Sequence, residues 1–286
     1  MQNRRKFLVE TAFAASAIAL LKPLNVVANS LESVTKKELK RLTIVFSSDL
    51  ASDGKTINSN DTFSTNIKAI KYSVQDIISK NYNVLLLQNG NICNPKKVEE
   101  EIVTQRLSQL KSLGYDAIVA GKNDIKSAKS FNSLAAKTGL TVLGKNTQII
   151  EKGKIKIGLV ANEFSETSTI SGIKRKAALL SNKAKELKEQ HNCNLVICLS
   201  TNNIANNKKA IKNDMDLTTN THSIDLIISG NNFSNKPIQL TTSNLHKEAV
   251  LLISNKFIGT SIGRIDIDFD NNLQKNKISL PLPIYS

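Results

Sequence analysis

The feature that most constrains this chain is a recurring pair of patterns, short apolar runs rich in β-branched residues and amphipathic stretches of helical spacing. Residues 42–46 (LTIVF), 84–87 (VLLL) and 117–120 (AIVA) are such runs, and residues 155–160, 195–199 and 226–229 repeat the style. Runs of this length without polar alternation read as strands buried on both faces. Between them, Ile67, Ile70, Val74, Ile77 and Ile78 recur at helical spacing within 65–80. A second helix is predicted over 95–113. Pro95 opens it, Glu99, Glu100 and Glu101 lie near its positive end, and Gly114 stops it. The Ala-, Leu-, Lys- and Glu-rich residues 174–190 predict a third. Beyond them the helical patterns stop, and residues 250–254, 263–269 and 278–280 read as antiparallel strands. The expected fold is α/β, with helices covering both faces of the sheet layers, as a single domain over residues 42–286.

The beginning of the chain reads as an address rather than as part of that fold. Asn3-Arg4-Arg5-Lys6-Phe7-Leu8 is followed by an Ala-rich apolar stretch from Thr11 to Leu21, and then by the small residues of Val26-Val27-Ala28. This is the charged, apolar and cleavage-site order of an export signal. The arginine pair before Phe-Leu resembles the twin-arginine signal, which exports proteins already folded. Residues 1–28 are therefore assigned to the signal and 29–41 to a polar linker, and the mature chain is expected to be periplasmic or otherwise exported. No Cys lies near the apolar stretch, so no lipid anchor is expected, and no apolar run reaches the roughly 18 residues needed to span a bilayer.

Composition excludes several classes. Three Cys cannot build a disulfide framework, and their spacing lacks the pairs of a structural zinc site. The formal charge is +15, of which +3 falls in the first thirty residues, leaving 15 − 3 = +12 for the remainder. Such a surface attracts anions. The Lys residues are nevertheless scattered, and aromatics make up 5% of the chain, too few for base stacking along a single strand. No specific nucleic-acid partner is expected.

In layered α/β folds ligands bind at loops beyond the carboxyl ends of the strands. Five polar blocks follow strands here. They are Ser47-Ser48-Asp49-Leu50-Ala51, Gln88-Asn89-Gly90-Asn91, Gly121-Lys122-Asn123-Asp124, Ser200-Thr201-Asn202-Asn203, and Gly230-Asn231-Asn232-Phe233-Ser234. In order and framing they resemble the metallophosphoesterase domain of the 5′-nucleotidase family, in the calcineurin-like superfamily. "LTIVFSSDLAS" is similar to that family's strand into Asp-x-His, and "YNVLLLQNGNIC" to its strand into Gly-Asp. "LGYDAIVAGKNDI" is similar to its run into Gly-Asn-His-Glu, "CNLVICLSTNN" to its strand into Ser-His, and "IDLIISGNNFS" to its run into Gly-His-x-His. "IGRIDIDFD" resembles the Gly-Arg strand that closes the domain, and the likeness runs over roughly residues 41–270. The resemblance implies a layered α/β/β/α sandwich.

It also implies a chemistry that the residues do not carry. The family uses two divalent metals to clamp a phosphate and supply a hydroxide. Asp49 matches its first Asp ligand. The His two residues on is Ala51, the bridging Asp is Asn91, and the Asn ligand is Lys122. The catalytic His is Asn123, and the acidic residue beside it is Asp124. The remaining His ligands correspond to Thr201, Asn231 and Phe233. Asp49 alone keeps its ligand type, so no metal cofactor is expected, while Lys122 is a candidate for holding an anion. The resemblance thus points to a catalytically degenerate protein. Its relatives' C-terminal nucleotide-recognising domain is not expected within 42–286, and a separate protein carrying such a domain is a candidate partner. Two alternatives stay open, a weak phosphoric-ester hydrolase holding one metal through Asp49, Asn91 and Asp124, and a basic module that binds an anion or nucleotide. His191, His222 and His246 are expected away from the five blocks as surface residues; Cys198 is expected in the core, and Cys93 and Cys193 reduced or buried.

Overall fold

The computed structural model describes residues 40–51, 62–93, 98–127, 130–163, 170–203, 214–231, 238–254, 259–280 and 284–285. The export signal 1–28, all but the last two residues of the linker 29–41, residues 95–97 of the second expected helix, and Phe233 lie outside them. Strand β1 (Arg41–Ser47) sits in the middle of the first sheet. On one side it pairs in parallel with β2 (Val84–Asn89), which continues to β3 (Ala117–Val119) and β4 (Thr141–Leu143). On the other it pairs antiparallel with β11 (Ser261–Phe269), which carries β12 (Lys275–Ser279) and β13 (Ile284–Tyr285). The second sheet has the order β5 (Gln148–Lys152), β6 (Ile155–Asn162), β7 (Leu195–Asn203), β8 (Leu226–Asn231), β10 (Ala249–Ser254), β9 (Ile238–Ser243).

Alternate residues of the buried strands point to opposite faces, and the apolar clusters follow that parity. Leu42, Ile44 and Phe46 of β1 meet Ile157, Ile197 and Ile228 of the second sheet in one core between the sheets. The other face of the first sheet, with Val45, Leu86 and Ile118, packs under helices α1 (Thr62–Lys80), α2 (Glu100–Leu113) and α4 (Phe131–Lys137). The outer face of the second sheet, with Val160, Val196, Cys198 and Ile227, packs under α5 (Ile170–Glu189) and α6 (Asp214–Asn220). A short helix α3 (Lys122–Ser127) follows β3. The layers run helix, sheet, sheet, helix, as the resemblance implied.

Four details differ from expectation. Helices α3, α4 and α6 are too short to leave a periodic signal. Strands β4 and β5 are short and only half-buried, so they carry no continuous apolar run. The strand at 250–254 was expected to be antiparallel; it lies parallel to β8, with antiparallel β9 on its other side. The helix expected over 95–113 begins later, at Glu100, with Glu99 extended before it, while its stop is as expected. Gly114 has φ 97°, and the N–H groups of Gly114 and Tyr115 donate to Lys111 O and Leu110 O.

Candidate functional site

Strands β1, β2, β3, β7 and β8 deliver the five polar blocks to one edge. The tightest approach is between the second and third. A Cβ on Gly121 would lie 2.3 Å from Asn91 Oδ1 and 2.6 Å from Asn91 N. A Cβ on Gly90, where φ is +74°, would lie 2.9 Å from Gly121 Cα and 3.4 Å from Thr201 Cγ2. These two glycines let the loops touch backbone to backbone. Across the gap between the sheets, a Cβ on Gly230 would meet Asn89 O at 2.8 Å and Ser200 O at 3.2 Å. The first four blocks and Gly230 of the fifth are therefore brought together, and residues 232–234 lie outside the described residues.

Asp49 and Asn91 hold left-handed conformations, with φ 51° and 58°, which Asp and Asn tolerate better than other non-glycine residues. The loops are locked by Asp49 N–H donating to Gly90 O and Ala51 N–H donating to Asn91 O, both at 3.1 Å. Asp124 is fully buried and its carboxylate gathers three backbone donors. Asn91 N–H and Gly121 N–H donate to Oδ2 at 2.7 and 2.8 Å, and Cys93 N–H to Oδ1 at 2.8 Å. Burial pushes its carboxyl up to about 6, against the opposite pull of those donors. The acidic residue of the third block is thus a splice between two loops.

The centre of the site is the pair Asp49 and Asn91. Asn91 Nδ2 donates to Asp49 Oδ1 at 2.7 Å, while Asn123 N–H donates to Asn91 Oδ1 at 3.3 Å. The second bond fixes which end of the amide faces Asp49. Asp49 Oδ2 is buried and has no hydrogen-bond partner among the described residues. Burial pushes the Asp49 carboxyl up to about 7; the bond from Asn91 opposes this and the nearby Asp124 charge adds to it.

Two divalent cations would need several carboxylates and imidazoles converging with lone pairs free. The residues present do not fit that group. Asn91 offers Asp49 an N–H donor, Lys122 is an exposed residue of α3, and Ala51 has no ligand atom. Asn123 and Thr201 are half-buried beside the cluster. The backbone of Asn231 ends β8, and its side chain and all of Phe233 lie outside what is described. Among the described residues, no group of three or more His, Cys, Asp or Glu is placed to hold a metal ion. Of the histidines, His191 and His222 precede β7 and β8, and His246 lies between β9 and β10. All three sit at the strand ends opposite the site. Cys93, Cys193 and Cys198 are free and buried, and burial pushes each thiol up.

One layer of the site escapes a reading of loops alone. Asn162, Ser200, Ser229 and Ser254 are register partners across β6, β7, β8 and β10, and all are buried. Buried Asp214, at the start of α6, lies over them. Ser200 Oγ donates to Asp214 Oδ1 at 2.6 Å, and Asn162 Nδ2 donates to Ser200 Oγ at 2.8 Å. Burial pushes the Asp214 carboxyl up. The available signal was parity. Each of the four is a polar residue that follows the apolar run of its strand on the helix-facing side.

No family model matches the sequence, and no curated protein matches it. Solved structures do match. The 5′-nucleotidase precursor of Thermus thermophilus superposes with a TM-score of 0.62 at 12% identity, over 86% of this chain and 54% of that one. The NAD nucleotidase of Haemophilus influenzae gives 0.60 at 13%, over 86% and 50%. A calcineurin-like phosphoesterase of Bacillus subtilis gives 0.57 at 16%, over 84% and 90%. The chain spans about half the length of the two nucleotidases. At these identities the likeness is one of architecture, and the two facing sheets with their outer helices are the calcineurin-like metallophosphoesterase fold.

Proposed function

We propose that this chain is an exported 5′-nucleotidase-like protein that keeps the phosphoesterase fold without a dinuclear metal site, a pseudoenzyme that works through a partner. The observation that carries this reading is the hydrogen bond from Asn91 Nδ2 to Asp49 Oδ1. An amide donor stands where the fold's enzymes place an anionic bridge, so the one retained ligand is engaged by a neutral group. The partner would be a separate protein carrying the nucleotidase C-terminal domain.

The test is metal content and hydrolysis measured together. Purified protein incubated with manganese and zinc is expected to retain less than about a tenth of an equivalent of either. Asp49→Asn is expected to leave any residual nucleotide hydrolysis unchanged. One or two tightly held equivalents, or activity abolished by Asp49→Asn, would overturn the proposal. The buried, unpartnered Oδ2 of Asp49 favours one other reading, a single-metal phosphoric-ester hydrolase, and those two results are the ones it predicts.

Export is tested separately. A folded reporter behind residues 1–40 is expected to leave the cytoplasm, and Arg4→Lys with Arg5→Lys is expected to retain it. A reporter that stays inside with the native arginines would sink the assignment of residues 1–28 as an export signal.

A further inference from the structure

His222 and His246 lie far apart in sequence and their rings stack, with centroids 4.6 Å apart and planes 6° from parallel. The stack joins two elements. His222 is in the turn between α6 and β8, and His246 is in the turn between β9 and β10. Around it the turns are tied by directed bonds. Leu245 N–H donates to Thr221 O at 2.9 Å, and His222 N–H donates to Ser181 Oγ of α5 at 3.0 Å. Within the hairpin turn, Asn244 Oδ1 accepts the N–H groups of His246 and Glu248, each at 2.9 Å. Ser223 and Lys247 take left-handed conformations with φ 63° and 62°, so each turn is held in a conformation its residue rarely adopts.

Parallel imidazoles at this separation attract while neutral and repel once both are protonated. The charged surroundings decide how readily that happens. From α5, Lys185 opposes a proton on His222 and Glu189 favours it. From the hairpin turn, His246 opposes it and Glu248 favours it, and Lys247 adjoins both. The acidic residues of α6, Asp214 and Asp216, are in its first turn, at the end away from His222. The opposing influences win, burial first among them, and His222 lies below its ordinary 6.5. The contribution of the stack is then fully present above about 6.5 and is lost as pH falls through the lowered value.

We propose that the His222–His246 stack is a pH-released latch that holds the β9–β10 hairpin against the turn after α6. At neutral pH the stacked rings pin residues 244–248 to Thr221. On acidification His222 takes up a proton against the ring of His246, the hairpin turn lifts, and the edge of the second sheet loosens. Strand β8 ends in the candidate site at Asn231 and β9 begins at Ile238, so the latched strand is the next element of the chain after the site's last block. An exported protein meets external pH directly, which gives such a latch a use; the latch itself stands whether or not the proposed function does.

The experiment is hydrogen exchange of the full chain, read by mass spectrometry over peptides covering 238–254 and corrected for the intrinsic pH dependence of exchange. Protection in these peptides is expected to fall several-fold between neutral pH and about pH 5, while peptides from β1 and β2 stay unchanged. His246→Phe keeps a ring for stacking and removes the influence of His246 on His222, which still titrates. The pH dependence of its protection is expected to be smaller than in the wild type. Proton NMR of the wild-type chain supplies a readout free of any folding defect in the variant, and His222 is expected to titrate below 6.5. Protection unaltered by pH in the wild type, the same pH dependence in His246→Phe, or a His222 midpoint at or above its ordinary value would each overturn the latch.

Discussion

Asp124→Ala is expected to destabilise the native state by roughly 3–9 kcal/mol, the largest effect of any substitution in the candidate site. Three backbone N–H groups, from Asn91, Cys93 and Gly121, end on this one carboxylate. Alanine would leave all three buried without an acceptor, and each such orphaned donor costs about 1–3 kcal/mol. The site has no slack to rearrange, because Gly121 already lies against Asn91. Asp124→Asn keeps one oxygen and turns an amide N–H toward a backbone donor, so it is expected to cost about half as much. In a chain of this size the alanine variant corresponds to a fall of roughly 10 °C in Tm. Urea denaturation checks the ordering of the wild type, Asn and Ala. A loss below about 1 kcal/mol for Ala would show that Asp124 does not splice the loops.

The same residue shows what the sequence discloses and what it withholds. That an acidic side chain follows Gly121-Lys122-Asn123 is visible by inspection, and its place in the third block is visible by resemblance. That it accepts from Asn91 and Cys93, some thirty positions earlier, is a property of two loops meeting, which no local pattern records. The sheet layers were legible because burial on both faces writes an unbroken apolar run, as in 84–87 and 195–199. Direction was not. Residues 250–254 read as one more antiparallel strand, yet their apolar continuity (VLLI) already suits a strand with neighbours on both sides and covered faces. The connection that makes them parallel to β8 runs through an edge strand, where a helix is the usual device. Short elements such as β4 and α6 were invisible because a few half-exposed residues contain no period.

The residues that the resemblance sets against metal-ligand positions were legible one by one, and their bonding to one another was not. Replacing a bridging Asp by Asn91 predicts a poorer metal ligand. It does not predict that the amide would turn its N–H toward Asp49, since that orientation is set by Asn123 N–H on the third loop. Asp49, Asn91 and Asn123 are thus joined in a specific hydrogen-bond pattern. That pattern makes a thermodynamic statement about Asp49 that activity measurements alone would not test.

Asp49→Asn is expected to stabilise the protein at alkaline pH, by roughly 2–4 kcal/mol at about pH 8.5. The sign follows from linkage. In the unfolded chain the carboxyl releases its proton near 3.8, and in the folded protein burial holds it to about 7. The folded state binds the extra proton between those values. Stability from this group is fully present below about 3.8 and is lost as pH rises through about 7. Above that, the native state carries a buried carboxylate whose Oδ2 has no partner. Asparagine removes the charge and keeps an oxygen to accept from Asn91 Nδ2. The gap in urea stability between about pH 5 and about pH 8.5 is therefore expected to narrow in the variant without closing. It does not close because Asp124, raised to about 6, titrates in the same direction and remains. A bound divalent cation reverses the sign. It would keep Asp49 ionised at lower pH, and the neutral amide would then destabilise the loaded protein while leaving the chelated one improved. Measuring both proteins with and without chelator separates the cases. Asp49→Asn destabilising at alkaline pH without chelator would place a cation on this carboxylate, and equal stability of the two proteins at every pH would mean that Asp49 is open to water.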